Sequence, residues 1–258
     1  GKTYPGLVEN VGPYDSDLHH PDGVEHAEAI GRRLASSDDS RSVPTVLYSD
    51  PFLRCMRTAD AIAKTLNEST DAPTAIKIRV EEGTTEWQVP SLLVDPDGKR
   101  THPRTKEQLV AMFPDTVDAS YESVNPQGPD REAADGDAAA GDGRPRFPET
   151  EDQLHVRCAS TLDKIMDEIG TDGGALAIVG HAPCVQSMAL HLEGSASPAE
   201  SKLGPWSLGG MTRFSRPVTD GGEVGAWTLD MYSDTAHMPG EYKAGKLGQW
   251  SLPSFVRD

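Results

Sequence analysis

"LYSDPFLRCMRTADAIA", residues 47–63, holds the pattern that decides the fold. An apolar run ends at Tyr48, a Ser-Asp-Pro turn breaks it, and a helical period follows with Leu53, Met56, Ile62 and Ala63 on one face. A short buried strand feeding directly into an amphipathic helix is half of an α/β unit. Two arginines, Arg54 and Arg57, fall in the first turns of that helix, where a positive charge opposes the helix dipole. An anion held between backbone N–H groups and a guanidinium would offset that penalty. A solvated helix face with a surface ion pair is the plainer reading of the same residues.

The alternation continues outward from this stretch. "VEHAEAIGRRLA" (24–35) places Val24, Ala27, Ile30 and Leu34 on one helical face, and "TVLYS" (45–49) is the strand entering the quoted helix. "AIKIRV" (75–80) alternates as a second strand. Residues 149–169 align Leu154, Cys158, Leu162, Ile165, Met166 and Ile169 along a long helix, with Pro148, Glu149 and Glu151 as its start signal. "ALAIVG" (175–180) is a continuous apolar run, as in a central strand covered on both faces, and a helix from Pro183 to Leu192 follows it. "MTRFSR" (211–216) and "AWTLDMY" (226–232) flank a Gly- and Asp-rich turn and read as a hairpin. The expected architecture is a three-layer α/β/α sandwich around a largely parallel central sheet. Such sheets bind ligands at the carboxyl ends of their strands, where Ser49–Arg57 and Gly180–Cys184 fall.

The 258 residues suffice for one large domain, and 1–258 is read as a single unit. Residues 125–146, "NPQGPDREAADGDAAAGDGRPR", are poor in apolar side chains and read as a flexible insertion, either a lid or a passive surface loop. The tail from Met238 reads as a strap across the domain. A net charge of -17 argues against nucleic acid or an anionic membrane as partner, so a phosphate pocket would have to be a local positive focus. Cys55, Cys158 and Cys184 lack metal-ligand spacing and point to a reducing, cytoplasmic setting. No stretch reaches bilayer-spanning length, and oligomeric state is not readable.

In "IVGHAPC" (178–184), His181 follows a buried strand at a glycine-led turn into a helix. A lone histidine in such a place is ordinarily structural, but Arg54 holds the equivalent position after another strand. Imidazolium and guanidinium at neighbouring strand ends would make a phosphate clamp. "EEGTTEW" (81–87) supplies an acid after the strand 75–80. Glu86, beside Trp87, would lose solvation against the ring and suit general-acid work; Glu81 and Glu82 compete for the role.

These segments together carry a resemblance. "YSDPFLRCMRTADAIAKTL" resembles the second signature of the histidine phosphatase superfamily, whose fold is phosphoglycerate-mutase-like. "VEEGTTEW" is similar to the acid-bearing segment of the branch containing the suppressor-of-T-cell-receptor-signalling phosphatases and a fungal transcription-factor subunit. "LAIVGHAPCV" resembles the segment of the second catalytic histidine, "DGVEHAEAIGRRL" the first helix, and "SDTAHM" a late segment ending in histidine. The likeness runs from about residue 17 to residue 238. It implies a phosphomonoester hydrolase working through a phosphohistidine on a phosphorylated small molecule or phosphoprotein, with neither metal nor other cofactor. It implies that Arg54 binds phosphate oxygens, His181 holds the transferring group and Glu86 protonates the leaving oxygen; Arg57 matches no family position and is read as surface.

The family's nucleophile is a histidine in an Arg-His-Gly triplet on the first strand, and this sequence holds no such triplet. Its opening, "GKTYPGLVENVGPYDSDLHHPDG", starts without Met and already lies past where that strand should end. The expectation is therefore a domain lacking its first strand and inactive as given, either through truncation or as a non-catalytic, phosphate-binding scaffold or interaction module. His19 and His20 precede the first helix with no strand before them, so solvated polar surface is the ordinary reading. His102, His155 and His191 have no partner motif, and His237 is read as structural.

Overall fold

The computed structural model describes residues 15–18, 22–36, 42–69, 75–126, 146–170, 174–195, 201–219, 221–240 and 248–253. At its centre is a parallel three-stranded sheet of β1 (Pro44–Ser49), β2 (Ile78–Val80) and β3 (Ala175–Val179), ordered β2-β1-β3. Leu47 pairs with Ile78 on one side and Ala177 on the other.

Alternation along these strands gives the sheet two apolar faces. Leu47, Ile78 and Val80, with Ala177 and Val179, join the core formed by Leu53, Met56, Ile62 and Ala63 of α2 (Leu53–Ser69) and by Ile30 and Leu34 of α1 (Asp22–Ala35). Val46, Tyr48, Leu176 and Ile178 point the other way, onto Ile165 and Ile169 of α5 (Glu151–Ile169). Helices thus cover both faces, the three-layer α/β/α arrangement of the phosphoglycerate-mutase-like fold. Burying a Leu or Ile as completely as Leu47 or Ile78 contributes about 1.5–3 kcal/mol. Gly31 lets α1 close on α2: a Cβ there would meet Thr65 Cβ at 2.7 Å.

The strand expected over 75–80 forms a ladder only from Ile78. Its beginning is held otherwise, because the Asn67 side chain accepts from Ile76 N (2.7 Å) and donates to Ile76 O (3.1 Å). Two short helices, α3 (Pro90–Leu93) and α4 (Lys106–Met112), stand in a stretch without clear periodicity. A Thr105–Gln108 capping box starts α4, and Leu109, Phe113 and Val117 anchor it to the core of β2. A second capping box, Thr150 with Gln153, starts α5, so Glu149 stands just outside the helix.

His181 is the N-cap residue of α6 (Ala182–Glu193). The hairpin is β5 (Met211–Ser215) with β6 (Thr228–Asp234), and β4 (Trp206–Ser207) pairs with the tail strand β7 (Gln249–Trp250). Most of the insertion, 127–145, lies outside the described residues, as do His19 and His20. Asn125, at its expected start, belongs to the packed body: it is buried and donates to Thr161 Oγ1 at 2.9 Å. Among the described residues, no helix is long and apolar enough to cross a membrane.

Strand β3 differs from what its apolar run leads one to expect. It ends the sheet order, and among the described residues no strand pairs with its edge opposite β1. All five of its residues are only partly buried.

Candidate active site

Three loops leave the carboxyl ends of the three parallel strands and meet. Asp50 follows β1 and opens into α2, the 3-10 turn Glu82–Thr84 follows β2 and leads to Glu86, and His181 follows β3. Arg54, in the first turn of α2, places Nη2 3.2 Å from Glu86 Oε2. That same carboxylate oxygen lies 3.4 Å from His181 Nε2. The other ring nitrogen, Nδ1, lies 2.9 Å from Asp50 Oδ2. Arg54, Glu86 and His181 are therefore in direct contact, although 32 to 127 positions separate them along the chain.

His181 is clamped between two carboxylates, with Phe52 edge-on to its ring at 5.7 Å. Burial opposes charging the ring, but the facing Glu86 and Asp50 carboxylates favour it, and its pKa stands well above the ordinary histidine range. Both nitrogens then carry protons, Nδ1–H donating to Asp50 and Nε2–H facing Glu86. Burial pushes the Cys55 thiol up, which keeps it protonated.

The helix start answers the charge puzzle in the quoted stretch differently from the expected bound anion. Two carboxylates occupy it: Leu53 N donates to Asp15 Oδ1 and Phe52 N to Asp50 Oδ1, each at 2.6 Å. Asp15 is almost fully buried, with Arg104 Nε 3.6 Å from its second oxygen, and burial raises its carboxyl pKa. Glu86 also differs in detail. Trp87 does not isolate it; its indole joins the α5–α6 core and donates to Glu149 O, and what faces Glu86 Oε2 is cationic.

The competing acids separate by position. Glu81 is fully buried and bonded to Gly83 N, Tyr121 Oη, Ser123 Oγ and Val124 N, so it organises the turn. Arg57 turns away, pairing with Asp17 at 3.2 Å and stacking over Phe113, beside a small polar cleft that holds none of the three candidates. His191 pairs with Asp163, His155 lies near Glu151, and His237 faces Gly209 O, all outside the cluster.

Asp50, Cys55 and His181 bring ligand-type atoms close enough together to consider a metal ion. The donor geometry does not suit one. Cys55 Sγ is nearly equidistant from Nδ1 and Nε2 (3.8 and 3.7 Å), so it lies off both in-plane lone-pair directions. Nδ1 is already taken by Asp50, and Arg54 adds positive charge.

Sequence reading missed Asp50, which orients His181; its signal was an acid directly after a strand, read only as part of a turn. No family model and no curated protein matches this sequence. Solved structures do. The native mycobacterial glucosyl-3-phosphoglycerate phosphatase is 18% identical, with 86% of this chain and 89% of that one covered and a TM-score of 0.51. Its complex with VO3 gives 17%, 86%, 88% and 0.50. A protein described as mycobacterial hydrolase 1 gives 18%, 86%, 89% and 0.51. This likeness establishes the fold.

Proposed function

We propose that this domain is built for phosphomonoester hydrolysis through a phosphohistidine, with the nucleophile carried on a strand that pairs with the second edge of β3. What supports the reading most directly is the contact of Arg54, Glu86 and His181 at the carboxyl ends of parallel strands. A guanidinium and an imidazolium both face Glu86, so with that acid protonated two positive groups stand against the single Asp50 carboxylate, a local charge suited to an oxyanion. Phosphoryl transfer asks the protein chiefly for positioning and charge stabilisation.

In the proposed reaction, the histidine nitrogen attacks phosphorus in line and the P–O bond to the leaving group breaks. Arg54 and His181 hold the equatorial oxygens. Glu86 gives the leaving oxygen its proton, then takes one from the water that displaces phosphate from the phosphohistidine. Asp50 fixes the ring through Nδ1. The edge of β3 opposite β1, unpaired among the described residues, is where a further parallel strand would bring its own end next to His181. The glucosyl-3-phosphoglycerate phosphatase, solved with VO3, makes phosphorylated small molecules a reasonable substrate class here.

A second reading is an oxyanion-binding module without turnover, favoured by the lack of any Arg-His-Gly triplet in this sequence. Hydrolysis of p-nitrophenyl phosphate separates the two. The 258-residue chain is expected to show little or none. Where a strand ending in Arg-His-Gly is supplied ahead of Gly1, the extended chain is expected to turn over and trap an acid-labile phosphohistidine. A start codon at this position favours the module. Robust turnover by the 258-residue chain, abolished by His181→Ala, contradicts the placement of the nucleophile.

A further inference from the structure

Glu86 sits in a segment that no strand ladder or α-helix holds, yet its carboxylate must stay aligned with His181 and Arg54. We propose that Arg157 and Glu149 form a positioning clamp for Glu86, setting where its carboxylate stands relative to His181. This rests on the reading of Glu86 as the working acid.

Arg157, on α5, is 1% exposed. Its Nη1 donates to Gly83 O (2.8 Å) and Thr85 O (3.0 Å), the segment just before Glu86. Its Nε and Nη2 donate to Glu149 Oε1 (2.7 Å) and Oε2 (2.8 Å). Glu149 takes the segment just after Glu86. Its Oε2 accepts from Gln88 N (3.2 Å), its carbonyl accepts from Trp87 Nε1 (3.1 Å), and its own N–H donates to Gln88 O (2.8 Å). One rigid, fork-shaped guanidinium therefore fixes the chain on both sides of a single residue.

Two further contacts tighten the hold. Cys184 Sγ, in the first turn of α6 next to His181, donates to Thr85 O at 3.0 Å. Gln88 Nε2 donates to Glu86 O at 2.6 Å. Gly83 lies so close on α5 that a Cβ there would clash with Thr161 and Asn125. A buried ion pair is a poor source of stability, since well-packed apolar side chains of similar volume serve as well or better. What apolar residues cannot do is bind the carbonyls of Gly83 and Thr85 in fixed directions.

The test uses the histidine as reporter. His181 is faced by Asp50, Cys55, Glu86 and Arg54, with the Phe52 ring at its edge, so its NMR titration reports whether Glu86 stays in place. Glu86→Gln sets the scale: removing that carboxylate should lower the His181 pKa. The double variant Arg157→Met with Glu149→Leu keeps the volume and removes the clamp. Arg157→Lys keeps the charge and loses the fork. Each is expected to fold, by near-UV circular dichroism, and to reproduce more than half of the Glu86→Gln fall. A folded double variant, or a folded Arg157→Lys, whose His181 titrates as in wild type overturns the proposal. Because neither turnover nor anion binding is read, a failure of oxyanion binding would count against the proposed function and leave the clamp standing.

Discussion

Two arginine–glutamate pairs stand near each other in this fold and differ in kind. Arg157 and Glu149 are sealed, each side chain 1% exposed, with paired N–H···O contacts of 2.7 and 2.8 Å. Arg54 and Glu86 meet at 3.2 Å, with side-chain exposures of 27% and 9%, and the same Glu86 oxygen is shared with His181. The first pair spends its donors on the protein's own carbonyls and defines a fixed shape. The second concentrates charge that a tetrahedral oxyanion could reorganise, because its contacts are longer and partly open to solvent. A salt bridge therefore says little by its presence; its burial and the destination of its donors decide whether it holds structure or receives a ligand.

Stability should separate the two pairs most sharply. Arg157→Ala leaves the Glu149 charge buried and is expected to lower unfolding free energy by about 3–5 kcal/mol in urea titration. Arg54→Ala is expected to change it by about 1 kcal/mol or less. Equal losses would erase the distinction.

Ligand binding should rank the arginines the other way. Arg54→Ala is expected to weaken orthovanadate binding by about 1.5–3 kcal/mol, on the order of ten- to a hundredfold, as a lost charge-assisted hydrogen bond does. Calorimetry of wild type and variant checks it.

The pH dependence follows from His181, whose raised pKa makes the folded state the better proton binder. Its contribution is complete below the ordinary value of 6.5 and is lost as pH rises toward and through the raised value. Unfolding free energy should fall by about 1.4 kcal/mol per pH unit within that window. His181→Gln should flatten the slope, while a slope of opposite sign would contradict the carboxylate clamp on the ring. The smallest expected effect is at the helix presenting Arg157: Thr150→Ala removes a capping box and should cost about 1 kcal/mol in thermal unfolding, with vanadate affinity unchanged.

Legibility of this chain tracked the range of the interactions. The stretch 47–63 announced a strand, a turn and a helix through local periodicity, and α1, α5, α6 and the hairpin were readable for the same reason. Strand 75–80 was overextended because the obstacle, Asn67 binding Ile76, comes from another element. Helix α4 went unseen because seven residues give too little period, although Thr105 and Gln108 spelled its capping box. Arg54, Glu86 and His181 were each visible after a strand. Asp50, Asp15 and the Arg157–Glu149 clamp were not, because their importance lies in what they reach across the fold: the His181 ring, Leu53 N and the backbone on either side of Glu86. Glu149 looked like a favourable charge at a helix start, and only the packed structure gives it a partner.

The most direct test of the central claim is calorimetric titration of orthovanadate into the wild-type chain, Arg54→Ala and His181→Ala at neutral pH. One-to-one binding to wild type, sharply weakened in both variants, is the expected result. Binding that is unchanged in the variants, or absent from the folded wild-type chain, would mean that these side chains do not form an oxyanion site.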